Sequence, residues 1–324
     1  MNEQPITKKR FSIGKIGWKE VLAILFIVVA FYFFWQQRKE LATLGQSLQN
    51  TDLYWLWVGI GFTVVYILLQ AGLYVYSFFA TGSTISWFNA TILFLKRNVI
   101  AVFLPGGGLT ALAYMPSNVE EKDKQSVHHA SVIYGFIGIF SVFIVAVPVL
   151  LYLSVQHKPV PGTPAAFIIV VVMLLAIALF VRSVQRKGPF YRWVIKGRPK
   201  VEKFLTEVFS FKLVMKQFWY AVIVSVLIEV VGVIHLYIAM KAAGVPPSLP
   251  ASVVAYIIST IFLIISPFLR GMGAIEVSLT LILKGYGYTT VESLEIALLF
   301  RFFEFWLPLL GSLITYATKV RKLF

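Results

Sequence analysis

The sequence predicts an all-α integral membrane protein, with about six transmembrane helices plus two re-entrant helix pairs in an inverted repeat. Three observations carry this. Of 324 residues, 59% are apolar and only 13% charged, about half the charged share that covers a soluble domain. Apolar runs near the 20 or so residues that span a hydrocarbon core recur along the chain. Two of these runs stop at Pro/Gly breaks that lie at equal distances beyond a glycine.

The elements follow in order. A polar, basic tail, 1–19, precedes an apolar run at 21–37, read as a first span and signal anchor because no small-residue cleavage site follows it. Residues 53–95 carry no charge at all. That is too long for one pass, and the Thr81-Gly82-Ser83 turn divides it into a full span, 53–80, and a second apolar helix, 85–103. The second helix meets Pro105, Gly106, Gly107 and Gly108. Proline lacks the N–H and glycine costs about 1 kcal/mol against alanine in a helix, so the helix ends there. Such backbone is tolerated at membrane depth only where protein or a water-filled cavity surrounds it.

A span at 126–156, a Pro-rich turn at 159–164 and a return span at 165–181 come next. The segment 182–216 holds ten Lys or Arg residues against Glu202 and Glu207, with aromatic and aliphatic residues interleaved. It reads as an interfacial amphipathic segment facing anionic headgroups. A span at 218–240 follows, then an apolar helix, 251–265, that stops at Ser266-Pro267. Arg270, Gly271, Met272 and Gly273 open a short helix to about Leu283, and 294–318 forms the last span before a basic tail, 319–324. The basic tails and the 182–216 cluster all fall on the cytoplasmic side if the two Pro/Gly-broken units enter and return on their own side. The single membrane domain is thus 20–318, with both termini cytoplasmic.

The breaks repeat. Gly82 to Pro105 and Gly244 to Pro267 are both 23 residues, and the two units, 53–120 and 217–284, are offset by 162. Three spans separate them, an odd number, so the copies have opposite topology. Inverted repeats with discontinuous helices point to a binding site near the midplane. The helix starts after Gly108 and Gly271 would present unpaired N–H groups to an anion there.

Charges at membrane depth are costly and mark candidate sites. Lys96 and Arg97 lie inside the first broken unit. Arg270 and Glu276 flank the start of the short helix in the second. Arg301 and Glu304, spaced i,i+3, share a face of the last span, and Glu229 sits mid-span in 218–240. The structural alternative is internal pairing: Arg301 with Glu304, or Glu276 with Arg301 or Arg270. In the binding reading the arginines hold an anionic group, and the carboxylates orient them or meet a cation. His235 lies near Glu229 but off its face. His128 and His129 read as interfacial.

The composition excludes several chemistries. There is no cysteine, so no thiolate or Cys-based metal site. The four histidines form no H-x-x-x-H pair, and no metal or cofactor is expected. No P-loop, nucleophile elbow or Rossmann glycine pattern occurs, so no enzymatic activity is expected. The net charge of +15 is placed at the membrane surface, which argues against nucleic acid.

The stretch from Ser266 through Pro267, Arg270, Gly271 and Gly273 to Glu276, followed by Gly285, Gly287, Arg301 and Pro308, resembles the second block of the lysylphosphatidylglycerol synthase transmembrane-region family, also called flippase-like. FLPGGG at 103–108 resembles its first block. The resemblance runs over nearly the whole chain. It implies location in the bacterial inner membrane and translocation of anionic or aminoacylated phospholipid, or a related lipid-linked headgroup, between leaflets. It places Arg97, Arg270, Glu276, Arg301 and Glu304 at the family's central charged positions. The chain ends six residues after its last span, so the synthase domain of the multiple peptide resistance factors is not expected. The Leu-Thr-Ala after the first glycines departs from the polar or charged residue expected there, which leaves the headgroup open. Besides membrane phospholipid, a separately encoded synthase or transferase and a second copy of the chain are the expected partners. Two other readings stand beside translocation: a non-catalytic membrane subunit of a lipid-modifying enzyme, and a small organic-anion carrier.

Overall fold

The computed structural model describes residues 51–103, 121–155, 213–265 and 274–317, with shorter stretches between 168 and 202. The expected span at 21–37, both tails, the turn at 159–164 and both Pro/Gly breaks lie outside the described residues. Pro105, Gly106, Gly107, Gly108, Pro267, Arg270, Gly271 and Gly273 are among them. The expected return span at 165–181 is described only in part.

Every regular element among the described residues is helical: α1 Leu53–Ala80, α2 Trp87–Phe103, α3 Glu121–Val155, α4 Pro189–Ile195, α5 Met215–Ala242, α6 Leu249–Ile265, α7 Ala274–Gly285, α8 Thr290–Arg301, a π turn Phe302–Trp306, and α9 Leu307–Ala317. Among the described residues four stretches are long and apolar enough to cross a membrane: Leu53–Ala80, Ser126–Leu151, Met215–Ala242 and Thr290–Thr315. The described parts of α2 and α6 have 17 residues each.

Local chemistry sets the boundaries. Asp52 caps α1 by accepting from the Tyr54 N–H at 2.9 Å. Its C-terminus closes through Gly82 at φ +77°, with the Ser83 N–H on the Phe78 carbonyl and the Gly82 N–H on that of Phe79. This is the paired closure in which a glycine adopts the left-handed conformation at no steric cost. Gly244, at φ +70°, closes α5 by the same two bonds, to Met240 and Lys241, and Gly287, at φ +96°, closes α7 likewise. The last span starts at Thr290, four residues before the apolar run alone suggests. Thr289 and Glu292 form a reciprocal capping box there, which lets polar residues occupy the first turn.

The same pattern appears twice. α1 and α5 are both 28 residues long and offset by 162, and α2 and α6 begin at the same offset. α1 and α5 pack along one another and are antiparallel. The Asp52 N–H donates to the Ala242 carbonyl at 3.0 Å, and the Val214 N–H, 162 residues on, donates to the Ala80 carbonyl at 2.9 Å. Each helix therefore begins where the other ends, through the same bond made twice.

Two apolar clusters hold the bundle. One joins α5, α6, α7, α8 and the end of α3, around Leu236, Ile257, Leu279 and Phe303. The other joins α1, α2, the start of α3 and the first half of α5, around Leu73, Tyr74, Leu93 and Ile137. Glycines bring helices close at two points. A Cβ on Gly59 would enter the Phe303 ring, and one on Gly232 would enter the Tyr256 ring.

Candidate functional site

Between the two clusters lies a cavity of about 270 Å³, lined from α1, α2, α3, α5, α6, α7, α8 and the π turn. Both copies of the repeated pattern therefore contribute to it. Of the intramembrane charges singled out in the sequence, Arg97, Glu229, Arg301 and Glu304 line this cavity. Glu276 stands behind it and reaches Arg301. Lys96, the neighbour of Arg97, does not line it, because successive residues on a helix point about 100° apart. Arg270 lies outside the described residues.

Arg97 projects from α2. Its guanidinium lies over the Tyr134 ring, 4.5 Å from the centroid. Tyr134 is held on both sides. Its ring stacks on Tyr74 with centroids 4.1 Å apart, and its hydroxyl donates to the side-chain oxygen of Gln70. The Nε of Arg97 is buried without a hydrogen-bond partner, and no carboxylate among the described residues pairs with it. A cation held by a desolvated aromatic face gains about 2 kcal/mol. Tyr74 and Tyr134 also bond Arg97, and donors of its planar fork, matched to phosphate and carboxylate, remain for a ligand.

Arg301 is already engaged. It is 3% exposed, with Nε 2.7 Å from Glu276 Oε1 across the α7–α8 contact, and its guanidinium lies 4.3 Å from the centre of the Phe305 ring. Glu304 meets His235 of α5, with Nδ1 2.6 Å from Oε1. Arg301 and Glu304 do share the cavity face that their spacing implies, yet each pairs with a different helix. The turn that carries Glu304 is π, closed by the Leu307 N–H on the Phe302 carbonyl, and its wider winding re-aims the side chain. Single π turns inside α-helices occur frequently at functional sites. The hydroxyl of Thr63 lies 3.1 Å from the Phe303 carbonyl in that turn and 3.5 Å from His235 Nε2. His235 also stacks on Phe303.

Glu229 is held differently. Ser141 donates to one carboxylate oxygen at 3.0 Å and Tyr256 to the other at 2.9 Å. Ser225 donates to Ser141 at 2.8 Å. The sequence reading missed these three hydroxyls, as well as Tyr134, Gln70 and the His235–Glu304 contact. Only Ser225 carried a usable signal, since it lies four residues before Glu229 and hence on its face. Among the described residues no group of three or more His, Asp or Glu could hold a metal ion.

The family model described as "Lysylphosphatidylglycerol synthase TM region" matches residues 21–312. The chain belongs to this family. Membership agrees with the resemblance carried by the two Pro/Gly blocks. Together with the four apolar spans it makes the chain a multi-pass membrane protein with a lipid-related role. No curated protein and no solved structure matches the chain. Within the family's matched region the cavity residues Arg97, Glu229, Arg301 and Glu304 all fall before residue 312.

Proposed function

We propose that this protein carries the headgroup of an anionic or aminoacylated phospholipid from one leaflet of the bacterial inner membrane to the other, without chemical change to the lipid. The observation that carries this reading is Arg97. It is a cation inside the membrane domain, facing a cavity lined by both halves of the molecule, fixed by an aromatic ring and unpaired with any described carboxylate. Such a group is expensive at membrane depth and is explained if an anion completes it.

The reciprocal Asp52–Ala242 and Val214–Ala80 bonds support an inverted repeat, with its axis crossing between α1 and α5. On that reading α2 and α6 are re-entrant and meet their Pro/Gly breaks near the midplane. The cavity then opens alternately to either leaflet as one half rocks against the other. The acyl chains remain in the bilayer while the phosphate passes Arg97. The basic 182–216 segment and both termini are cytoplasmic, where that segment faces anionic lipid or a separately encoded synthase. The test is translocation of a fluorescent phosphatidylglycerol by the full chain in proteoliposomes, read by quenching with dithionite added outside. A protein-dependent fraction of inner-leaflet lipid should become quenchable. Quenching no greater than in protein-free vesicles would refute it.

A further inference from the structure

Glu229 is the one cavity carboxylate among the described residues held only by neutral hydroxyls. Glu276 is fixed by Arg301 and Glu304 by His235. Glu229 is 5% exposed, and Ser141 at 3.0 Å and Tyr256 at 2.9 Å are its partners. A hydroxyl can donate to a carboxylate or, by rotating, accept from a carboxyl O–H. The site therefore holds the ionised and the protonated form without moving a backbone atom. Ser225 and Ser141, bonded to each other at 2.8 Å, extend it as a short line of hydroxyls along which a proton can pass. An arginine or lysine partner would have fixed the charge, and none is paired with it among the described residues.

The surroundings set what a proton there would do. Tyr66 of α1, Arg97 of α2 and Tyr134 of α3 line the same cavity. From the other half come Tyr256 of α6 and Arg301 and Glu304 of the last span. His235, on the same helix as Glu229, is turned to Glu304. Glu276 and Arg301 neutralise one another, so the charges that an incoming anion meets are Arg97, Glu229 and the Glu304–His235 pair. An ionised Glu229 opposes an anion in this cavity and a protonated one does not. Anion binding and proton binding therefore favour each other by the same factor.

We propose that Glu229 is a proton-binding site, and that a proton taken up there crosses with the anionic headgroup in the same direction. This rests on the reading of the cavity as a headgroup path. The bookkeeping is simple: one proton is bound on one side and released on the other, one phosphate anion accompanies it, and no net charge crosses the membrane.

The test uses the full chain in proteoliposomes carrying a short-chain fluorescent phosphatidylglycerol. The membrane potential is clamped to zero with valinomycin and equal potassium, and leaflet distribution is read by albumin extraction. Under a gradient of one pH unit, one proton per lipid drives about a tenfold excess of the lipid into the leaflet on the alkaline side. Glu229→Gln should give the same distribution with and without the gradient. If wild-type lipid still exchanges between leaflets but its distribution ignores the gradient, the proton site is overturned and translocation stands. A Glu229→Gln variant that keeps the wild-type asymmetry overturns it equally. If wild type exchanges no lipid at all, the headgroup path falls, and infrared titration decides the proton site alone. The carbonyl stretch of a protonated carboxyl should appear in wild type as pH is lowered and be missing in Glu229→Gln. In Tyr256→Phe, which keeps the carboxyl and removes one hydroxyl, it should appear at a shifted pH. Identical titrations in all three proteins would overturn the proposal.

Discussion

Replacing Arg301 with methionine tests whether the cavity wall is as dry as the structure draws it. Arg301 is 3% exposed and its partner Glu276 12%, with Nε and Oε1 2.7 Å apart. Removing the guanidinium strands a buried carboxylate in the α7–α8 contact. Breaking one side of a buried pair costs about 3–5 kcal/mol, whereas replacing both partners with groups of similar volume is often close to neutral. Arg301→Met alone should therefore lose about 3–5 kcal/mol. Glu276→Gln alone leaves an uncompensated guanidinium and should lose a similar amount. The double variant should recover most of either loss, giving a coupling of at least about 2 kcal/mol, well beyond the few tenths expected of independent sites. Equilibrium unfolding in mixed micelles titrated with SDS, followed by the fluorescence of the eight tryptophans, measures all four corners of the cycle. Additive losses, or a single-variant cost below about 1 kcal/mol, would mean that water reaches the pair, and the argument from desolvation would fail. The same result would remove the reason for treating Arg97 as the cation left for a ligand.

Two further outcomes follow from the repeated pattern and from the close approach of α5 to α6. Gly82→Ala and Gly244→Ala each place a Cβ in the left-handed conformation, at φ +77° and +70°, and should lose about 1–2 kcal/mol. In the same unfolding assay the two losses should be near-equal, since the closing bonds are the same; a large difference would speak against equivalent turns. Gly232→Ala drives a methyl into the Tyr256 ring. The overpacking should cost about 1–3 kcal/mol and displace the hydroxyl that holds Glu229. Thermal unfolding should show the loss, and a variant as stable as wild type would show that Tyr256 can move aside freely.

Much of this architecture was legible in the sequence, because the signals are local. The glycine turns and proline breaks gave the offset of 162, which α1 and α5 reproduce at both ends. The charge-free run from 53 to 95 gave the division into α1 and α2. The start of α8 was read four residues late, because a capping box is decided by two polar side chains rather than by hydropathy. The site was legible as a set of charges, with Glu276–Arg301 among the pairings they allowed. The pairing of His235 with Glu304 depends on elements far apart in the chain, α5 and the π turn. His235 lies off the face of Glu229 and meets Glu304 instead. The π turn itself leaves no mark in the aromatic-rich sequence Phe302–Trp306. Hydroxyls such as Ser141 are equally silent, since serine within a membrane helix commonly bonds its own backbone.

The central claim is that Arg97 receives the headgroup, and lipid translocation by Arg97 variants tests it most directly. Arg97→Gln removes the charge while keeping a polar side chain of lesser length, and Arg97→Lys keeps the charge without the fork. In the dithionite assay, with each variant checked for folding, translocation of phosphatidylglycerol should fall at least about tenfold in Arg97→Gln, the equivalent of one lost charge-assisted contact of about 1.5–3 kcal/mol. It should be partly restored in Arg97→Lys. A folded Arg97→Gln protein that moves the lipid as fast as wild type would contradict the account.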